Sequence, residues 1–399
     1  MEKQKTHELR NRILFTILVA AVYLLCRSIV LYGIDPDSLN TGAADVQALL
    51  SMMVSGDRYR VTVMALGIMP YINASLLVQI IFAFRSSASR AKISKMESDR
   101  WMRTAAILFS IVMAIMRSYE LTYQNDLGPI WALRLIVTLE MIAGAAGISY
   151  LCFENEKHGI GASMPIILIN IVTSLVQNMN ANHFFEFRQM IWLCVIVIIG
   201  TVLMENSIIR IPLQRVSIHN VHADQNYLAY KRAPMGIMPV MFAASAFFAP
   251  YYFVKMLAYF FPENASLASA SENLVLTKPL GVGVYLILIV VLSVVFSMLM
   301  LNPKETAHQL QRNGDSIIGL AAGKKTKRYL TGIVLKWSFL SGFLQMLCMA
   351  VSMGLSLRGQ IPAALAMVPS SVMILVSIVC SFVQEIGTYY RYDAYRFFL

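Results

Sequence analysis

Long apolar runs separated by short polar stretches dominate this chain. Charge-free runs cover 61–84, 158–185, 189–204, 233–254, 279–303, 337–357 and 359–384. Three more runs, 13–33, 104–122 and 133–152, carry internal charge: Arg27 in the first, Arg117 in the second, Arg134 and Glu140 in the third. A helix rising about 1.5 Å per residue needs about 20 residues to cross the hydrocarbon of a bilayer. The pattern therefore predicts ten membrane spans. The first run follows Lys3, Lys5, Arg10 and Arg12, as the core of a signal peptide follows its basic start. At about 20 residues it is long for that role. No small-residue cleavage site follows, so we expect it to be kept as the first span.

Composition supports this picture. Of 399 residues, 57% are hydrophobic and 14% charged, against about 25% charged in soluble domains. An ordinary soluble enzyme and a disordered chain are both excluded. The net charge of +11 would suggest nucleic acid in a soluble protein. Here its distribution over the loops matters more. With ten alternating spans, 23 Lys and Arg residues fall on one side and five on the other; of the remaining five, Arg27, Arg117 and Arg134 lie within spans and Lys255 and Lys336 directly beside span ends. The positive side is the cytoplasmic one. Both termini are thus expected in the cytoplasm of a multi-pass cell-membrane protein, with the lipid bilayer and not nucleic acid as its partner.

Two basic loops are long, 205–232 and 303–330. They are either solvated connections carrying orientation charges or a docking surface. Long connections without a role are uncommon, which favours docking. On the opposite side, 34–60 contains an apolar patch: Val46, Ala48-Leu49-Leu50 and Met52-Met53-Val54. It is too short to span and fits a short helix folded back into the protein.

An internal repeat organises the spans. Gly67-Ile68-Met69-Pro70 recurs as Gly236-Ile237-Met238-Pro239, with Ala74-Ser75 and Ala244-Ser245 following the two copies. Each copy opens the second span of a five-span half, so the halves run in opposite senses through the membrane. Inverted repeats build pathways at the interface of two halves. Pro70, Pro165, Pro239 and Pro369 fall in spans 2, 5, 7 and 10. They mark either ordinary kinks or the spans that frame a pathway. The nearby side chains Ile68, Ile72, Val172, Met238 and Ile374 are apolar. Such a pathway seals well and binds polar solutes poorly. A secondary transporter of a small or lipid-linked solute would need a polar midplane site. Only Glu140 lies deep in a span, without an evident partner.

Site chemistry is otherwise sparse. No catalytic motif occurs, so no catalytic residue is assigned and no enzyme activity is expected. No cofactor is implied. His219 and His222 share a polar loop with Asp224, too few ligands for a metal site. Cys26, Cys152, Cys194, Cys348 and Cys380 lie in or beside apolar runs and fit small buried hydrophobes.

The stretch Ala65-Leu66-Gly67-Ile68-Met69-Pro70-Tyr71-Ile72-Asn73-Ala74-Ser75 resembles the second-span signature of SecY, the channel subunit of the protein translocon. Gly33-Ile34-Asp35-Pro36 resembles the start of that family's plug region, and His158-Gly159-Ile160-Gly161 the start of span 5. Arg210-Ile211-Pro212 with Gln214 resembles the loop after span 6, and Asn302-Pro303-Lys304-Glu305 the loop after span 8. The resemblance runs along nearly the whole chain. It implies an all-α fold of ten transmembrane helices in two inverted five-helix halves around a central pore. The first half would comprise 1–155, with spans 1–4 and a plug at about 43–56, completed by span 5 in 156–186. The second half would be 187–399. The pore would open sideways between spans 2–3 and 7–8, passing unfolded secretory protein and admitting signal sequences. Ile68, Ile72, Val172, Met238 and Ile374 match the pore ring, and Asn73, Ser75 and Gln79 the polar face of the lateral gate. Arg210, Arg215, Lys304, Lys324, Lys325, Lys327 and Arg328 would dock a SecA-type motor ATPase. SecE-like and SecG-like small membrane subunits and a secreted preprotein complete the implied partners.

The chain departs from the family pattern in places. The loop after span 8 reads Gly319-Leu320-Ala321-Ala322-Gly323, without the arginine the family carries there. The paired arginines before Ile211-Pro212 are reduced to Arg210, preceded by Ile209, and the start of span 5 reads Gly161-Ala162-Ser163. These features resemble the accessory SecY of Gram-positive bacteria, which works with an accessory SecA paralogue to export serine-rich glycoproteins. A divergent housekeeping SecY is the alternative.

Overall fold

The computed structural model describes residues 8–34, 61–84, 94–121, 123, 128–215, 227–244, 246, 247, 254, 273, 274, 276–321 and 323–395. Its helices are α1 (Glu8–Cys26), α2 (Met69–Phe84), α3 (Lys95–Glu120), α4 (Ile130–His158), α5 (Met164–Ala181), α6 (Arg188–Asn206), α7 (Pro279–Leu301), α8 (Pro303–Arg312), α9 (Lys324–Leu357) and α10 (Val368–Tyr395). Residues 238–244 are also helical. Among the described residues eight helical stretches are long and apolar enough to cross a membrane, formed by α1, α3, α4, α5, α6, α7 (whose stretch runs on through the polar α8), α9 and α10, and Met69–Phe82 of α2 is a shorter apolar helix. The protein is a multi-pass, mainly helical membrane protein. The expected seventh span, 233–254, and the expected plug, 43–56, lie partly and wholly outside the described residues.

Two compact units emerge. The first is Met1–Phe82, Lys92–Phe184 and Ile378–Leu399; the second is Ala83–Ala91 and Phe185–Ser377. In the first unit α3 packs along α4, and α1 along α4 and α5. Ser94 caps α3 by accepting from the Glu97 backbone N–H at 3.2 Å, so α3 begins well before the apolar run expected at 104. Extended residues at 29–31 and 61–63 pair beside α4: Leu31 N donates to Val61 O at 3.1 Å and Val63 N to Ile29 O at 2.9 Å. Leu31, Ile34, Val61 and Leu66 bury against Ala114, Val137, Met141 and Ala145 of α3 and α4. Gly144 lets this segment in, because a methyl there would run into the Val63 carbonyl. Glu140 does have a partner, the Tyr32 backbone N–H at 3.1 Å. The stretch 153–157, which separates the apolar runs 133–152 and 158–185, is the helical end of α4.

A second seam joins α1 to the start of α5 through polar groups. The Tyr23 hydroxyl donates to Asn170 Oδ1 at 2.6 Å, and Thr16 Oγ1 accepts from Ile160 N at 2.9 Å. Both Tyr23 and Asn170 are buried. In apolar surroundings such bonds fix helix register, since an unmade bond is costly.

In the second unit α7 and α9 pack tightly over a stripe of small residues. Ser293 Oγ donates to Ser338 O at 2.8 Å, and a methyl on Gly342 would stand 2.6 Å from Ser293 Cβ. Small side chains let backbones approach where no water drives helices together.

The all-α expectation holds for the spans, and the loops add a small sheet. Strands β1 (Ile208–Arg215), β2 (Tyr227–Lys231) and β3 (Asp315–Ile317) lie in the order β2-β1-β3. Ile208 to Pro212 pair antiparallel with Lys231 to Tyr227, and Leu213 to Arg215 with Ile317 to Asp315. Pro212 stands at the changeover, where a residue without an N–H interrupts the ladder least. Ile209, Ile211 and Leu213 face the core built by Ala307 and Leu310 of α8 and by Leu330 and Val334 of α9. Their alternates Ile208, Arg210, Pro212 and Gln214 are exposed.

Candidate pore helices and docking sheet

The four prolines do not kink spans. Each is the second residue of a helix: Pro70 of α2, Pro165 of α5, Pro239 of the helix at 238–244 and Pro369 of α10. Proline loses nothing there, because the first N–H groups of a helix have no intrahelical partner. A turn precedes each start, or a 3-10 helix in the case of Leu365–Met367 before α10.

The repeat is repeated in the backbone as well. Gly67 has φ 55° and Gly236 φ 54°, both in the left-handed region that favours glycine. Gly67 N donates to Met64 O at 2.8 Å, and Gly236 N to Ala233 O at 3.1 Å. Ile72 N then donates to Ile68 O at 3.1 Å, as Met241 N does to Ile237 O at 3.3 Å. The same tetrapeptide thus makes the same left-handed turn into a proline-started helix in each unit. Ile68 consequently sits in the turn and not on α2, and Met238 is the first residue of its helix.

The ring candidates divide by exposure. Ile68, Ile72 and Ile374 are buried, at 0%, 4% and 0% of their surface, whereas Val172 and Met238 expose 41% and 39%. The first unit holds Ile68, Ile72 and Val172, and the second Met238 and Ile374. Of the gate candidates on α2, the Ser75 hydroxyl donates to its own helix at Ile72 O, 2.9 Å away. Asn73 Oδ1 is buried and accepts no bond among the described residues. Gln79 is half-buried.

The docking candidates converge. Loops 205–232 and 303–330, far apart in sequence, form one sheet with α8 and the first turns of α9 beneath it. Arg210, Lys304, Lys324, Lys325 and Arg328 are exposed on this assembly, and Lys327 is half-buried. The Arg210 guanidinium lies 5.1 Å over the Tyr227 ring, an attraction that orients it. Arg215 is the last residue of β1. Burial on the inner face pushes the Tyr230 phenol pKa up. His219, His222 and Asp224 fall outside the described residues.

Sequence reasoning missed Glu205 and Gln345. Glu205, next to last in α6, is buried. It accepts from the Ser377 hydroxyl at 2.6 Å and lies 3.6 Å from Lys231 Nζ. Gln345 Nε2 donates to the Gly236 carbonyl at 2.7 Å. Glu205 reads in sequence as an ordinary charge at the end of a span, and only its partners distinguish it.

The SecY family model matches residues 62–383. The chain belongs to the SecY family. It is similar to the accessory Sec system translocase subunit SecY2 of Leuconostoc gelidum subsp. gasicomitatum, 25% identical with 95% of this chain and 94% of that protein covered. It is similar to SecY2 of Streptococcus pneumoniae serotype 4, 25% identical with 96% of each covered. A translocase subunit SecY of Bacillus licheniformis is 24% identical, with 99% of this chain and 97% of that protein covered. Among solved structures, a protein conducting channel superposes with TM-score 0.66 at 16% identity, covering 96% of this chain and 93% of its own. Sec61 in the canine ribosome-channel complex superposes with TM-score 0.61, also at 16% identity. The SecY fold, which the sequence resemblance implied, is thus the fold of this chain.

Proposed function

We propose that this SecY-family chain is the channel subunit of a protein translocase. It passes unfolded secretory protein across the cell membrane and admits signal sequences through a lateral gate. The observation that carries this reading is the family match over residues 62–383. The similarity to two SecY2 proteins over almost their full lengths supports the accessory subtype, with serine-rich glycoproteins as cargo. The 23-to-5 partition of basic residues supports both termini being cytoplasmic. The sheet β2-β1-β3, with α8 and the start of α9 packed on it, brings together the exposed basic residues of two loops. This supports docking of a SecA-type motor, the accessory paralogue, at Arg210, Arg215, Lys304, Lys324, Lys325, Lys327 and Arg328. Ile68, Ile72, Val172, Met238 and Ile374 serve as the apolar closure of the pathway, and Asn73, Ser75 and Gln79 as the polar face of the gate. SecE-like and SecG-like subunits complete the assembly.

A photo-crosslinker at position 304 or 325 tests the docking surface. During export it should capture the accessory motor. Capture of the housekeeping motor would move the chain to the housekeeping subtype. Capture of neither, in cells that still export, would refute docking at this sheet.

A further inference from the structure

The turn at Gly236 is clamped from two directions, and one clamp leads back to the docking sheet. The Glu205 carboxylate lies against Gly236 so closely that a Cβ there would be 2.5 Å from Oε1. Gln345 holds the carbonyl of the same residue at 2.7 Å. Glu205 itself is kept in place by Ser377 at 2.6 Å and by Lys231 at 3.6 Å. Lys231 is the last residue of β2. Its neighbour Arg232 closes the base of the hairpin, donating from its backbone to Ser207 O at 2.9 Å. A buried carboxylate is strongly disfavoured unless paired, so Glu205 stays where Ser377 and Lys231 hold it. The two ends of the ion pair differ: the Glu205 side chain is 6% exposed and that of Lys231 40%. Lys231 is the member that a moving hairpin can withdraw.

We propose that Glu205 is a positioning residue that couples the docking hairpin to the start of the helix at 238–244. Lys231, carried by β2, holds the carboxylate against Gly236 and keeps the turn in its resting form. Withdrawal of Lys231 releases the turn and, with it, Met238 and the helix behind it. The proposal rests on the channel reading above, because it assigns the released helix a role in opening.

The test uses the full-length channel, purified with its small subunits and reconstituted in planar bilayers, with resting conductance as the readout. Glu205→Gln keeps the shape and the Ser377 contact but removes the charge. Lys231→Met removes the partner, and Lys231→Arg conserves it. Glu205→Gln and Lys231→Met should each raise resting open probability about tenfold, within the range usual for coupled sites. The double variant should rise no further, and Lys231→Arg should stay at the parental level. Single variants within twofold of the parent, or a double variant whose effect is the product of the two, would overturn the proposal. So would a drop in melting temperature with no change in conductance, which marks a merely structural ion pair. If the parent conducts and translocates a preprotein but the variants match it, the coupling alone fails. If the parent neither conducts nor translocates with its motor present, the channel reading fails with it.

Discussion

Gly144→Ala should lower the melting temperature of the protein, and Gly147→Ala, three residues further along α4, should raise it. The two glycines share a helix and differ in what lies opposite. A methyl on Gly144 would overlap the Val63 carbonyl oxygen and stand 3.0 Å from Val63 Cγ1, whereas one on Gly147 meets only the Met64 methyl at 4.0 Å. Overpacking costs about 1–3 kcal/mol. The obstacle at Gly144 is backbone, which no rotamer change can clear, so the upper end applies. Alanine recovers about 1 kcal/mol over glycine within a helix. The net loss at Gly144 is therefore about 2 kcal/mol and the gain at Gly147 about 1 kcal/mol. For a unit of this size each kcal/mol moves the melting point by about 2–4 °C. Gly144→Ala should then melt about 4–8 °C below the parent, and Gly147→Ala about 2–4 °C above it. Scanning fluorimetry of the full-length protein in detergent measures both. Equal melting points, or a rise for Gly144→Ala, would show that 61–66 is not held against α4.

Three further outcomes are expected. Ile68→Ser and Ile72→Ser should raise the ion leak of the resting channel in bilayers, and unchanged conductance would remove both residues from the closure. Tyr23→Phe deletes the 2.6 Å bond to a fully buried Asn170 and should destabilise the protein by about 1–3 kcal/mol; an unchanged thermal transition contradicts this. Gly342→Ala sets a methyl 2.6 Å from Ser293 Cβ, which should loosen the α7–α9 pair by about 1–3 kcal/mol. Protease resistance of the α9 region equal to the parent's would refute it.

Much of this fold is legible in the chain because lipid imposes a simple rule: apolar runs of span length become helices. The runs at 133–152, 189–204 and 279–303 lie within or nearly coincide with α4, α6 and α7. Errors arise where hydropathy and backbone geometry part company. Residues 61–68 are as apolar as α2, but the left-handed Gly67 ends that stretch in a turn and Pro70 fixes where the helix begins. The sheet does leave a signal in the sequence: Ile209, Ile211 and Leu213 alternate with Arg210, Pro212 and Gln214 at the period of a strand. Its pairing with β3 had none, because nothing in either loop specifies the other. Glu205 illustrates the same limit, since its charge is visible in the sequence but its neighbours in space, Ser377, Lys231 and Gly236, are not.

The order of the sheet also bears on assembly in time. Gln214 pairs with Ser316, 102 positions later in the chain. While a ribosome is still making the protein, β1 and β2 can form a hairpin, but their third strand does not exist until α7 and α8 have been synthesised. Contacts this distant in sequence close last. The basic surface is therefore completed only when most of the spans have been made. The platform proposed for docking is unfinished until β3 emerges, so the order of synthesis delays it behind the spans of α1 to α7.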